Sequence, residues 1–193
     1  PDGGVGAAVT NMQHQGQSVN QQRQKSPHVH ATVFSPDNKY VFVPDLGIDQ
    51  VVVYAFNPKT GFLKPNKEHV KVSAGSGPRH LDFHPSGKWA YLAQELSGTV
   101  TVFKYDKGEL VEQQQISMLP ADYTGAATSA DIHVSPNGRF LYASNRNTSN
   151  TIAIFKINPE DGKLTLVGHQ STMGKTPRNF NFDPSGKLLL VAN

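Results

Sequence analysis

An all-β fold made of repeated four-stranded antiparallel units is what this sequence predicts, on three observations. The first is a repeat: a proline turn recurs at Pro36-Asp37-Asn38-Lys39, Pro85-Ser86-Gly87-Lys88, Pro136-Asn137-Gly138-Arg139 and Pro184-Ser185-Gly186-Lys187. Its period is roughly 50 residues, in the range of solenoids and propellers. The second is the segment after each turn, at 40–43, 89–92, 140–143 and 188–191, which is apolar at successive positions. That suits strands buried on both faces between neighbouring sheets. The third is composition. The 193 residues include 17 glycines and 13 prolines and only 17% charged residues, a balance that favours short strands and turns over long helices.

Each element of the repeat has its reason. A short strand A leads into the turn, where proline presets φ and the following Gly or Asn tolerates positive φ. Strand B leads away from it. After a polar loop comes strand C, at 50–56, 99–105 and 151–157, then a turn at Gly61, Gly108 or Gly162 and a weaker strand D. Four-stranded antiparallel blades repeated radially make a β-propeller, which protects its sheet edges; an open stack of such sheets is the competing arrangement.

A seven-bladed ring at this period needs about 350 residues. The chain opens on Pro1-Asp2-Gly3-Gly4 and stops partway through the fourth repeat. It is therefore expected to hold about half of a ring as one partial domain. The end of one blade falls at 1–26, with an outer strand at 6–14. Blades follow near 27–77, 78–128 and 129–176, and a further blade starts at 177–193. Segment 15–26 is rich in Gln, Asn and Ser without apolar periodicity and reads as a solvated connecting loop.

Composition also narrows the function. The net charge of +3 comes with no Lys/Arg block, so nucleic acid is not the expected partner. No apolar run reaches about 18 residues, so no membrane span is expected. The absence of cysteine excludes disulfides, thiolate zinc sites and cysteine nucleophiles. His28 and His30 form a two-histidine pattern, but zinc takes three or four ligands. Neither metal nor cofactor is expected.

Register then gathers candidate residues. Six positions before the turn proline stand His30, Arg79, Ala130 and Arg178, at the start of strand A; ten positions after it stand Leu46, Glu95 and Arg146, past the end of strand B. In an A–B hairpin these two places lie at the same open end. His30, Arg79, Glu95, Arg146 and Arg178 should share one face, and with strand A innermost, His30, Arg79 and Arg178 ring the channel. A histidine can move a proton near neutral pH, a carboxylate can orient it or activate water, and guanidiniums can grip an anion. Ion pairs between blades would use the same residues, and Arg146 in particular reads as such a pair. His80, Asp82, His84, Asp131 and His133 are expected to bond between blades or line a wet channel, and Trp89 to sit in the core.

Further blocks carry a resemblance. Ser18-Val19-Asn20, Arg23-Gln24, Pro27-His28-Val29-His30, Val43-Pro44-Asp45-Leu46-Gly47, Gly77-Pro78-Arg79-His80, Gln94-Glu95, Asp131-Ile132-His133-Val134-Ser135-Pro136 and Tyr142-Ala143-Ser144-Asn145-Arg146 together resemble the seven-bladed propeller lactonase family. That family includes bacterial 6-phosphogluconolactonases and fungal carboxymuconate lactonizing enzymes. The resemblance runs from Ser18 onward. It implies a cytoplasmic enzyme that hydrolyses a sugar-acid lactone, 6-phospho-D-glucono-1,5-lactone foremost. It maps the implicated residues onto His30, Arg79, Glu95 and Arg178, with His30 or Glu95 as the base. Arg146, Asn20, Arg23 and His80 are candidates for substrate binding, and segment 15–26 gains a second reading as a lip over the site. A muconate-type cyclase and a non-catalytic binding propeller are the alternatives.

Overall fold

The computed structural model describes residues 4 and 6–193. Its strands form four consecutive antiparallel sheets. The first holds β1 (Val33–Phe34), β2 (Tyr40–Asp45), β3 (Gln50–Phe56) and β4 (Leu63–Pro65), with β5 (Val70–Lys71) also on β3. The second holds β6 (Pro78–Phe83), β7 (Trp89–Gln94), β8 (Thr99–Asp106) and β9 (Glu109–Ser117). The third holds β10 (Ser129–Val134), β11 (Phe140–Asn145), β12 (Thr151–Ile157) and β13 (Leu164–Ser171), and the fourth β14 (Asn179–Phe182) and β15 (Leu189–Ala192). Strands pair in chain order within each sheet, while β6 lies against β10 and β10 against β14. First strands side by side are what a radial stack of blades requires.

The proline turns close alike. The amides of Asn38, Gly87, Gly138 and Gly186 donate to the carbonyls of Ser35, His84, Ser135 and Asp183 at 2.8–2.9 Å. All four donors have φ between 55° and 71°, which explains why only Gly or Asn occupies the position.

The apolar second and third strands fill the seams between sheets. Phe42, Leu92 and Phe103 join the first sheet to the second; Tyr91, Leu141 and Phe155 join the second to the third. Strand β7, covered on both faces, is buried at every position, whereas β15 alternates with exposed residues because the fourth sheet has one neighbour among the described residues. Trp89 is in the core at 7% exposure. It packs on Gly162, where a Cβ would lie 2.4 Å from the indole Cγ.

Two expectations need correction. The fourth strands are not weak: β9 has 9 residues and β13 has 8. In the first sheet alone the strand splits, because residues 66–69 bow out between β4 and β5. There His69 Nδ1 accepts the Val53 amide at 3.2 Å in place of a ladder carbonyl. Nor is 6–14 a strand. Met12 packs on the outer face of the first sheet, and His14 bonds Asp45 at 2.6 Å and the Tyr54 hydroxyl at 2.9 Å. Side chains hold this segment, and no described strand runs beside it to form a ladder. Of the 1–26 segment, residues 1–3 and 5 lie outside the described residues. No described helix is long and apolar enough to cross a membrane.

Candidate active site

The site sits at the open ends of the inner hairpins. Strands β6 and β10 both shift register there, between Pro78 and His80 and between Ser129 and Ile132. Successive side chains of a regular strand point to opposite faces, but a bulge re-aims them. Arg79 and His80 thus meet, with Arg79 Nη1 donating to His80 Nε2 at 2.9 Å.

Glu95, one residue beyond β7, is the hub. Arg79 Nε donates to its Oε2 at 2.9 Å, Arg146 Nη2 lies 3.1 Å from the same oxygen, and Arg23 Nη2 donates to Oε1 at 2.5 Å. Glu95 is 2% exposed. Burial alone would raise its pKa, but the Arg23 bond and the charges of Arg146, Arg23 and Arg79 outweigh it and hold the carboxyl below its ordinary value. Arg79 is further fixed by the Ala130 carbonyl at 3.1 Å, and Arg146 by the Thr128 carbonyl at 2.7 Å. Among the described residues Arg79 Nη2 has no partner.

Arg23 arrives from segment 15–26, which is more than a solvated connector. Gln24 is fully buried; its Nε2 donates to the Leu46 carbonyl at 2.8 Å and its Oε1 accepts the Asn20 amide at 3.0 Å. Asn20 Oδ1 accepts the amides of Gln22 and Arg23 at 3.0 and 3.1 Å, so its side chain shapes the lip. Ser18 Oγ donates to Asp49, which also accepts the amides of Gly75 and Gly77.

His30 lies partly buried beside this cluster. Its Nδ1–H donates to the His28 carbonyl at 2.9 Å, which leaves Nε2 as a free lone pair in the neutral ring. Burial pushes its pKa below the ordinary imidazole value, against the opposing His28 bond. His30, Arg79, His80 and Arg178 line a cleft of about 770 Å³. Arg178 is exposed there, and among the described residues its guanidinium has no hydrogen bond or ion pair.

All eight candidates therefore fall on one end of the blades, though not in one role. His30, Arg79, His80 and Arg178 face the cleft, Arg23 and Arg146 attend Glu95, and Asn20 supports the lip. Thr176 and Asn193 also line the cleft, and the repeat gave no signal for either because they fall outside the charged register positions. The described residues hold no cluster of three His, Cys, Asp or Glu side chains that could hold a metal ion.

A family model described as "Lactonase, 7-bladed beta-propeller" matches residues 1–193. The chain belongs to the seven-bladed β-propeller lactonase family. It is 39% identical to the 6-phosphogluconolactonase of Bacillus subtilis over 194 residues, covering 100% of this chain and 54% of that protein. It is 41% identical to the 6-phosphogluconolactonase of Formosa agariphila over 187 residues, covering 92% of this chain and 51% of the relative. The crystal structure of a Lactobacillus plantarum protein superposes with a TM-score of 0.93 at 38% identity, over 100% of this chain and 55% of that one. The structure of the periplasmic gluconolactonase PpgL of Pseudomonas aeruginosa superposes with a TM-score of 0.86 at 40% identity, over 93% and 51%. The chain thus spans about half the length of the curated relatives it matches.

Proposed function

We propose that the protein hydrolyses a sugar-acid lactone, 6-phospho-D-glucono-1,5-lactone, to 6-phosphogluconate in the pentose phosphate route. The observation that carries this reading is the cleft, where a neutral histidine with a free Nε2 faces guanidiniums that have donors to spare. His30 Nε2 takes a proton from water as its oxygen attacks the ring ester carbonyl; the tetrahedral adduct then collapses with cleavage of the acyl C–O bond, and the departing ring oxygen takes the proton back from His30. The oxyanion that develops is met by Arg79, whose Nη2 edge is free while its Nε and Nη1 are fixed. A preorganised donor of this kind contributes about 3 kcal/mol to the barrier. Arg178, exposed and unpaired, grips the phosphate. Glu95 serves as the counter-ion that aligns Arg23, Arg79 and Arg146 rather than as the base, since a carboxylate saturated by three cations is a weak proton acceptor. No cofactor enters the scheme.

The relatives' greater length supports a ring completed by blades outside these 193 residues. The Bacillus and Formosa relatives, both named 6-phosphogluconolactonase, support a place in sugar-phosphate metabolism, while the Pseudomonas protein carries the label periplasmic. The test is turnover by the intact protein of 6-phosphogluconolactone beside unphosphorylated gluconolactone and a muconate, with His30→Ala and Arg79→Ala in parallel. Hydrolysis of the phosphorylated lactone, lost in both variants, is expected. Turnover of the muconate alone would transfer the site to the cyclase reading, and equal activity of the variants would leave a binding propeller.

A further inference from the structure

The geometry points to Asp131 as a positioning residue that fixes Arg79 through His80, a role that rests on the lactonase reading above. Arg79 Nη1 can only donate, so the His80 Nε2 that it meets at 2.9 Å must accept. The other ring nitrogen, Nδ1, must then carry the proton, and it donates to Asp131 Oδ1 at 2.6 Å. A carboxylate at 131 thus selects the ring form that leaves an acceptor for the arginine. This link crosses a blade seam, because Arg79 and His80 belong to β6 and Asp131 to β10.

Asp131 itself has no freedom to change roles. Oδ1 also accepts the Ile132 amide at 3.0 Å, and Oδ2 accepts the Phe180 amide at 3.0 Å and Asn179 Nδ2 at 2.6 Å, with His133 Nε2 at 3.2 Å. It is 2% exposed. Each oxygen therefore faces a backbone N–H, so an Asn amide group placed either way sets a donor against a donor. The NH₂ meets fewer donors on the Oδ1 side, and placed there it donates to His80 Nδ1 and favours the Nε2–H ring, which repels Arg79. The same carboxylate reaches Asn179 and Phe180, next to Arg178. Blades two, three and four are thus keyed to one group.

The test is a double-mutant cycle in the intact protein with 6-phosphogluconolactone as substrate, joined to ¹⁵N NMR of His80. Asp131→Asn and His80→Phe should each lower kcat about 100-fold, as small misplacement of a reacting group does, with KM changed far less. The double variant should be no slower than the slower single one, because both changes cut one chain of bonds. The wild-type His80 spectrum should show Nδ1 protonated and Nε2 bare. Multiplicative losses in the double variant, or a wild-type His80 protonated at Nε2, would overturn the proposal. If Asp131→Asn does not fold, the wild-type spectrum and His80→Phe still decide it. A wild-type protein that hydrolyses no lactone would remove the proposed function, and the His80 spectrum would still report on the Asp131–His80–Arg79 chain.

Discussion

Glu95→Gln separates the two roles that this carboxylate could hold. The side chains of Glu95 and Arg79 are each 3% exposed, that of Arg146 is 11% and that of Arg23 is 43%. Removing one partner of a buried ion pair costs about 3–5 kcal/mol because it strands the other charge. Arg79 and Arg146 incur that cost. Arg23, largely in water, adds little. Glutamine keeps the shape and one acceptor oxygen, which still serves Arg79 and Arg146 when its NH₂ is turned toward Arg23, but it supplies no negative charge to offset theirs. For a chain of this length each kcal/mol moves the thermal midpoint by about 2–4 °C, so a fall of roughly 6–20 °C is expected. Circular dichroism melting, with activity measured well below both midpoints, reads both effects. The pH dependence adds a signature. The Glu95 carboxyl is held below its ordinary value, so its stabilisation is present above the unfolded carboxylate value and is lost as pH falls through the folded one. Wild-type and E95Q midpoints should converge on acidification. An E95Q protein that melts within about 2 °C of wild type at neutral pH yet is inactive would refute the counter-ion role and return Glu95 to the chemistry.

The other predictions concern single elements. His30→Ala should lower kcat by about 10²–10⁴-fold, the usual contribution of a general base. In the wild type kcat/KM should fall on the acid side with an apparent pKa below 6.5, since burial lowers that of His30; a limb above 6.5 would exclude this histidine as the base. Arg178→Ala should raise KM for the phosphorylated lactone about 10–100-fold, the worth of a charged hydrogen bond, and leave the unphosphorylated lactone nearly unchanged; equal losses on both would move the phosphate elsewhere. Gly162→Ala places a Cβ 2.4 Å from Trp89 at φ +72°. It should destabilise by about 2–5 kcal/mol from left-handed strain and overpacking together, measured by urea titration.

Much of this arrangement was legible because the hairpin is a ruler. With the turn prolines at fixed positions, Arg79 had to fall at the start of an inner strand and His30 and Arg178 just ahead of theirs, while Glu95 and Arg146 had to follow second strands. Strict alternation could not show the bulge at Arg79, which depends on how β6 meets β7. It therefore missed that Arg79 and His80 would touch. The saturation of Glu95 was hidden for another reason, since Arg23 reaches it from 72 residues away on a loop without periodicity. The outer strand expected at 6–14 failed because a segment's own residues cannot say whether a partner strand runs beside it.

Asp49 gives the lip a mechanical property. One carboxylate accepts Ser18 Oγ, the Gly75 amide at 2.7 Å and the Gly77 amide at 2.8 Å, and Gly77 leads directly into the strand of Arg79. The lip and the arginine's backbone are thus fastened to the same post, so raising the lip would break bonds that also set the arginine. Ligand traffic should pass over the His30 and Arg178 side while the lip stays shut. The amides of Gly75 and Gly77 should then exchange their hydrogens in step, and both should exchange faster in Ser18→Ala, which removes one of the bonds to that post.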